Sequence, residues 1–524
     1  AIIAQMQNKD AAAYKDLDDE MKGYMDYVCD TVLTKNTGIL NSDLIDKNDD
    51  TYISWAKDEV ISLYTYLNYA ISKNWIDTTK LGENSYSSSE EIYQEILNYL
   101  QDYLKNDSSF DKLLYENLIK SGSVTGNQVC AILYEQGVLP MDESAYNGLL
   151  SGSIGAFSWL TGKIQNLEIT PGQLALEPCS AGAVVTDPKT GKVLACVSYP
   201  GYDNNRLSNV MDTDYYVQLS TGLSRTFYNR ATQEKTAPGS TYKMMSSVAG
   251  LTEGVIGGGT YLPCTGEFDK ITPSPKCWIY PSAHGSLNVV GAIQHSCNDF
   301  FYEVGYRLGQ DSNGNYDSDT GLEKLAKYAK MFGFDQTSGI EIPESQPQIS
   351  DSDSVRSAIG QGTNNYTVSQ INRYVTAVAN RGTVYSLSLI DKTTDSNGKL
   401  IKDYTPEVVN QMDEISSSTW DLVHNGMESM VKSSSTFAGM DISMGGKTGT
   451  AQYSKMHADN VLFVGYAPAD SPEISIAVRI ANGYASTYAA EIGRDITKVY
   501  FNPESADELL QGYASSLGTA GAGD

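Results

Sequence analysis

Only seven of the 524 residues are cysteine and four are histidine, and no two cysteines stand as Cys-x-x-Cys. So sparse a set builds neither a disulfide scaffold nor an obvious metal site, and metal chemistry is not expected. Cys264 and Cys277 flank one loop, where a bridge in an exported protein and two free thiols fit the sequence equally well. Runs of about 18 apolar residues are also missing, so no membrane-spanning helix is expected. The start, Ala1-Ile2-Ile3-Ala4-Gln5, has neither an initiator Met nor a signal-peptide pattern. The sequence therefore reads as a fragment, with any anchor expected upstream. Cations are scarce as well: 37 Lys and Arg face 64 Asp and Glu, for a formal net charge of -27 and a pI near 4.5. Nucleic acid is excluded as a partner on this balance, because its binding draws on Lys and Arg. An anionic substrate must meet a local cluster of cations that opposes the global field.

What is present suits a folded protein of more than one domain. Hydrophobic residues make up 41% and charged residues 19%, and a chain of 524 residues exceeds the usual size of one core. From residue 10 to about 165 the text is helical, acidic and rich in Tyr. Val60, Leu63, Tyr64, Leu67 and Ile71 recur at helical steps within Trp55 to Ile71. Ser88-x-x-Glu91 has the form of a capping box and opens a second helix carrying Ile92, Ile96, Leu100 and Leu104. Both stripes are expected only to pack. After Pro171, Ala183 to Asp187 and Val193 to Val197 form a hairpin around a Pro188 to Gly191 turn. Two further strands, Val461 to Tyr466 and Ile474 to Ile480, precede a closing helix with Ala489, Ile492, Ile496 and Val499. Strands at both ends with helices between them predict an α+β fold, one antiparallel sheet covered by helices. The expected domains are a helical region over 1–164, a catalytic domain over 165–503 and a flexible tail over 504–524.

The chemistry concentrates after a Pro-Gly break. In Pro238-Gly239-Ser240-Thr241-Tyr242-Lys243 a helix is expected to begin at Ser240, beside unpaired backbone N–H groups and the positive end of the helix dipole. Lys243 falls one turn on, where its amine reaches the hydroxyl and, when neutral, takes its proton. A second cation nearby would favour that neutral form. Ser109-Phe110-Asp111-Lys112 has the same spacing without the Pro-Gly entry and reads as a chance match. Ser296-Cys297-Asn298 precedes a helix bearing Phe300, Phe301, Val304 and Leu308. There Ser296 could relay a proton and the Asn298 amide hold a substrate backbone. The similar Ser72-Lys73-Asn74 and Ser286-Leu287-Asn288 lack that context. Gly446-Lys447-Thr448-Gly449-Thr450 leads toward sheet strands. Lys447 is the expected second cation, Thr448 and Thr450 offer hydroxyls to a carboxylate, and Gly449 would let a substrate backbone lie against the strand. Lys189-Thr190-Gly191 sits in a polar hairpin turn and is set aside. The histidines, His284, His295, His424 and His457, are scattered and read as structural or surface residues.

Ser-x-x-Lys, Ser-x-Asn and Lys-Thr-Gly in this order resemble the penicillin-binding proteins and serine β-lactamases. The likeness covers about residues 165 to 503. It extends to Ser180–Ala195, Asn229-Arg230-Ala231-Thr232, Ile359-Gly360-Gln361-Gly362 and Phe463–Pro468, and it leans to the elongation-type members of class B. The resemblance implies a peptidoglycan D,D-transpeptidase in which Ser240 attacks the penultimate D-Ala of a stem peptide, with the backbone N–H groups of Ser240 and Thr450 as oxyanion hole. It implies β-lactam antibiotics as inhibitors, no cofactor, cell-wall elongation or division proteins as partners, and the extracytoplasmic face of a bacterial membrane as location. The pedestal motif of class B members is not found before residue 165, which leaves the helical region without a role. A D,D-carboxypeptidase and a β-lactam sensor remain open readings. A β-lactamase lacks its Glu-x-x-x-Asn segment between Asn298 and Lys447.

Overall fold

The computed structural model describes residues 2–81, 88–166, 168–169, 180–222, 224–451 and 458–510, and the chain divides into two compact units, Ala1–Thr161 and Gly162–Asp524. The N-terminal unit is helical. Helix α1 (Leu63–Ser72) starts where the Ser62 hydroxyl accepts from Thr65 N at 3.2 Å, and the preceding helix, Asp50–Ala56, is capped by the Asp49 carboxylate. Each short helix thus satisfies its own first N–H groups, and the break between them costs little. The stripe expected from Trp55 onward is therefore interrupted. Val60 falls in the link and is 45% exposed, while Leu63, Leu67 and Ile71 are buried. Ser88 caps α2 (Ser89–Lys105) as its spacing predicts, and Ile96, Leu100 and Leu104 face the core of this unit.

The second unit is organised by one antiparallel sheet. Its strands are β1 (Ala181–Thr186), β2 (Val193–Tyr199), β3 (Gly445–Ala451), β4 (Asn460–Ala467) and β5 (Ile474–Ile480), in the order β2-β1-β5-β4-β3. Strand β5 sits at the centre, so the hairpin near residue 190 and the one near residue 470 close a single sheet. Strand β4 is buried along its whole length because both faces are covered. Leu462 and Val464 join the large core, whereas Val461 and Phe463 join a second one on the opposite face, as the alternation of a strand requires.

Two of the covering helices follow from their sequences. In α5 (Val368–Ala379) every residue is buried: Asn372 and Thr376 meet the sheet, while Arg373 and Tyr374 pack on the other side against Thr337 and Phe332. Complete burial of a Val or Ile is worth about 1.5–3 kcal/mol, so packing holds this β-branched helix against its modest propensity. The closing helix α7 (Ser486–Phe501) buries Ser486, Ala489, Ala490, Gly493 and Thr497, and Ile492 of the expected stripe is exposed. Small residues win this face because the helix lies close to the sheet: a Cβ on Gly493 would come within 2.3 Å of the Phe463 ring. The expected flexible tail holds a short helix, Ser505–Leu509, in its described part, and residues 511–524 lie outside the described residues.

Candidate active site

The segment around Ser240 is a tight turn before it is a helix. Gly239–Tyr242 forms a 3-10 turn and α3 (Lys243–Thr252) follows, so the regular helix begins at Lys243 and not at the serine. Gly239 has φ +52°, and a Cβ there would meet the Thr450 carbonyl at 2.4 Å. Its N–H donates to the Gly360 carbonyl at 3.1 Å. The turn is thus wedged between β3 and the Ile359–Gly362 loop, and only glycine fits. Gly449 contributes from the other side. Its missing side chain would lie 2.8 Å from Thr241 Cγ2 and 3.2 Å from the Pro238 carbonyl. The bare face expected to receive a substrate backbone is therefore turned to the Ser240 turn and lets β3 approach it.

Ser240 is 4% exposed and lines a cavity of about 660 Å³ together with Asn298 and Thr450. Beneath it, two fully buried lysines meet on one hydroxyl. Lys243 Nζ donates to Ser296 Oγ at 3.1 Å, to the Ser296 carbonyl at 2.7 Å and to Asn298 Oδ1 at 2.7 Å. Lys447 Nζ reaches the same Ser296 Oγ at 2.9 Å and the Thr448 carbonyl at 2.8 Å. A hydroxyl has two lone pairs, so both are taken and its own proton is left for a third partner. The bond from Lys243 turns the Asn298 amide oxygen inward and leaves its NH₂ available to another acceptor. Ser296 holds φ +51°, a left-handed backbone that costs about 1–3 kcal/mol in a non-glycine residue and persists only where its surroundings impose it. The Lys243 bond to its carbonyl is one such constraint.

Ser240, Lys243, Ser296, Asn298, Lys447 and Thr450 are brought together from three segments far apart in sequence. Thr448 lies on β3 but outside the lining of the cavity. The alternative matches lie elsewhere: Ser109 is exposed at the start of a helix in the N-terminal unit, and Ser72 ends α1. Asn288 caps the next helix by accepting from Gly291 N at 3.0 Å, and Thr190 bonds Asp187 within its turn at 2.8 Å. Among the described lining residues the one carboxylate is that of Asp459.

A feature not expected from the sequence adjoins the site. Cys264, Cys277, His284 and Cys297 place one ligand atom each within 4.8 Å of one another, and the three cysteines are free thiols. Of the two readings of Cys264 and Cys277 the structure has the free thiols, and the four side chains form a group able to hold a metal where none was expected. His284 is thereby placed beside the three cysteines. Three thiols and an imidazole are the donor set of a closed, tetrahedral zinc site. The four residues are spread from 264 to 297 and come from a strand end, a loop and the turn before α4 (Asn298–Leu308), which no short spacing rule captures. Among the thiols, a hydrogen bond from Cys297 holds Cys277 low and pushes Cys297 up. Asn298 N also donates to Cys277 Sγ at 3.3 Å. Cys297 stands between Ser296 and Asn298, so an ion here would fix the position of that motif without touching the Ser240 cavity. Of the other histidines, buried His424 contacts the Val378 carbonyl at 2.8 Å and burial pushes its pKa down. The His295 carbonyl accepts from Trp278 Nε1 at 3.1 Å, and His457 lies outside the described residues.

Residues 181–498 match the family model described as the penicillin binding protein transpeptidase domain. A curated relative, the peptidoglycan D,D-transpeptidase MrdA of Haemophilus influenzae, is 28% identical over 376 residues, covering 62% of this chain and 54% of that protein. MrdA of Escherichia coli K12 is 27% identical over 363 residues, covering 60% and 53%. The chain thus spans about half the length of the curated relatives it matches. Among solved structures, Pseudomonas aeruginosa PBP2 in complex with WCK 5153 is similar with a TM-score of 0.53 and 26% identity, over 62% of this chain and 74% of that one. With this match over its C-terminal unit and three motifs assembled at one cavity, the chain belongs to the penicillin-binding protein transpeptidase family.

Proposed function

We propose that this protein is a peptidoglycan D,D-transpeptidase that cross-links stem peptides through a Ser240 acyl-enzyme. The observation that carries this reading is the convergence of Lys243 and Lys447 on the Ser296 hydroxyl beneath the cavity that Ser240 lines. Ser240 Oγ attacks the carbonyl carbon of the penultimate D-Ala, and its proton passes to the neutral amine of Lys243. The tetrahedral oxyanion is held by the backbone N–H groups of Ser240 and Thr450. Collapse breaks the peptide bond and expels the terminal D-Ala, whose amine takes the proton back through Lys243 and Ser296. An amine from a neighbouring stem peptide then attacks the ester and restores the serine. Asn298 offers its NH₂ to the substrate backbone, and Lys447, Thr448 and Thr450 supply a cation and hydroxyls to the terminal carboxylate. No organic cofactor enters these steps.

β-Lactams would acylate the same serine and stay bound. Two curated relatives are named peptidoglycan D,D-transpeptidase, which supports this reaction; the resemblance to elongation-type members adds cell-wall elongation or division proteins as partners and the extracytoplasmic face of the membrane as location. Among the described residues no helix is long and apolar enough to cross a membrane. The deciding experiment is labelling with a fluorescent penicillin followed by peptide mapping, with modification of Ser240 expected. Label on any other serine would overturn the proposal.

A further inference from the structure

A second cavity, of about 720 Å³, adjoins the Ser240 cavity and shares Gln361 and Gly362 with it. Its charge opposes that of the whole chain. Among the described lining residues Arg225, Arg230, Lys235 and Arg479 face a single carboxylate, Glu234, in a protein of net charge -27. Two of these cations are deeply buried. Arg479 is 3% exposed and Arg230 8% exposed, and both rely on Glu234: Arg479 Nη1 lies 2.7 Å and Arg230 Nη1 3.1 Å from its Oε2. Other polar partners are neutral, since Arg479 Nη2 donates to Asn460 Oδ1 at 3.2 Å and Arg230 Nη2 to the Ser224 carbonyl at 2.9 Å. The Nε atoms of both arginines are buried with no hydrogen-bond partner among the described residues.

One carboxylate shared by two buried guanidinium groups leaves a cation uncompensated, and burying an unpaired charge is strongly unfavourable. A bound anion would complete this arrangement by pairing the second guanidinium group. Arginine's fixed fork suits a carboxylate better than a point charge would. The lining also includes the amide side chains of Gln348, Gln361 and Asn365, which offer both donors and acceptors to a peptide backbone.

We propose that this cavity is a carboxylate subsite for the peptide substrate, seating a free carboxylate carried by a side chain or by an isopeptide-linked residue while Ser240 acts on the scissile bond next door. The inference rests on the transpeptidase reading and names what that reading lacks, the cation cluster an anionic substrate needs on an acidic protein. Arg479 and Arg230 bind the anion at the floor, and Arg225 and Lys235 attract it at the rim.

The test uses the rim residues, which lie outside the catalytic machinery. The double variant Arg225→Gln/Lys235→Gln is compared with wild type in penicillin acylation and in turnover of peptides that differ only in a free or amidated carboxylate, placed first on the donor strand and then on the acceptor strand. Wild type is expected to favour the free acid about 10-fold in kcat/KM on one strand, and the variant to lose most of that preference. Penicillin acylation should stay within about 2-fold, because the drug's one carboxylate takes the place of the terminal carboxylate beside Lys447, Thr448 and Thr450. The arm that responds identifies the strand. Unchanged preference in the variant, or wild type indifferent to the acid on both strands, overturns the subsite. An equal loss on acid, amide and penicillin overturns it too, as a merely structural role. A wild type that takes no penicillin at Ser240 would sink the transpeptidase reading itself, a result distinct from these.

Discussion

Lys243 donates to both oxygens of Ser296, the carbonyl at 2.7 Å and the hydroxyl at 3.1 Å. One amine nitrogen therefore holds the strained backbone of Ser296 and touches its hydroxyl at once. If Lys243 is the base, Lys243→Ala should slow penicillin acylation by about 100- to 10,000-fold. Ser296→Ala removes the shared acceptor of both lysines and should slow it by a smaller factor. Stopped-flow or quenched-flow acylation kinetics read both effects. Wild-type rates in Lys243→Ala would place the base elsewhere.

The nucleophile is tested independently of its base. Ser240→Ala should abolish covalent penicillin labelling while circular dichroism and the melting temperature stay near wild type. Ser109→Ala, in the exposed Ser-x-x-Lys match of the N-terminal unit, should label normally. The contrast separates the motif from its context.

Zinc should copurify with the protein at about one ion per chain, measured by elemental mass spectrometry, if the Cys264, Cys277, His284 and Cys297 donors act together. Cys277→Ala should lose the ion and melt several degrees lower, since a domain of this size shifts by about 2–4 °C per kcal/mol. Acylation should fall in the same variant, because Cys297 is the residue between Ser296 and Asn298. Metal-free protein with chelator-insensitive melting would leave the four side chains as ordinary core residues.

The sheet and its two hairpins were legible in the sequence because β4 and β5 are long β-branched runs bounded by Pro and Gly, a local signal. The three motifs were legible because each needs fixed residue types at short spacing. The Cys264–Cys297 cluster was not, since its donors converge through a loop whose path depends on the whole core. The two cavities escaped for the same reason: Arg230 and Arg479 meet at Glu234 only after β5 has joined the sheet. The face of α7 was misjudged because the closeness of Phe463, a tertiary fact, favours Gly493 over the larger Ile492.

Domain autonomy is a further proposal. Every catalytic motif lies after residue 165, so a fragment beginning at Gln165 should fold and take up penicillin at close to the full-length rate. Size-exclusion chromatography and gel labelling check this. An insoluble fragment would mean that the helical region shares the core of the catalytic one.

The last prediction separates a transpeptidase from a β-lactamase, which would use the same serine and lysine. Hydrolysis of the acyl-enzyme needs a carboxylate that activates water, and no Glu-x-x-x-Asn segment to supply one lies between Asn298 and Lys447. Asp459 is the single carboxylate in the described lining of the Ser240 cavity, so it is the residue on which the question turns. The penicilloyl-enzyme is expected to persist for hours in plain buffer, because no base makes water competitive with an amine. Intact-mass measurements after removal of free drug, with and without an amine acceptor, follow its decay. Loss of the adduct within seconds would make the protein a β-lactamase, and restoration of a long-lived adduct by Asp459→Asn would then identify the base.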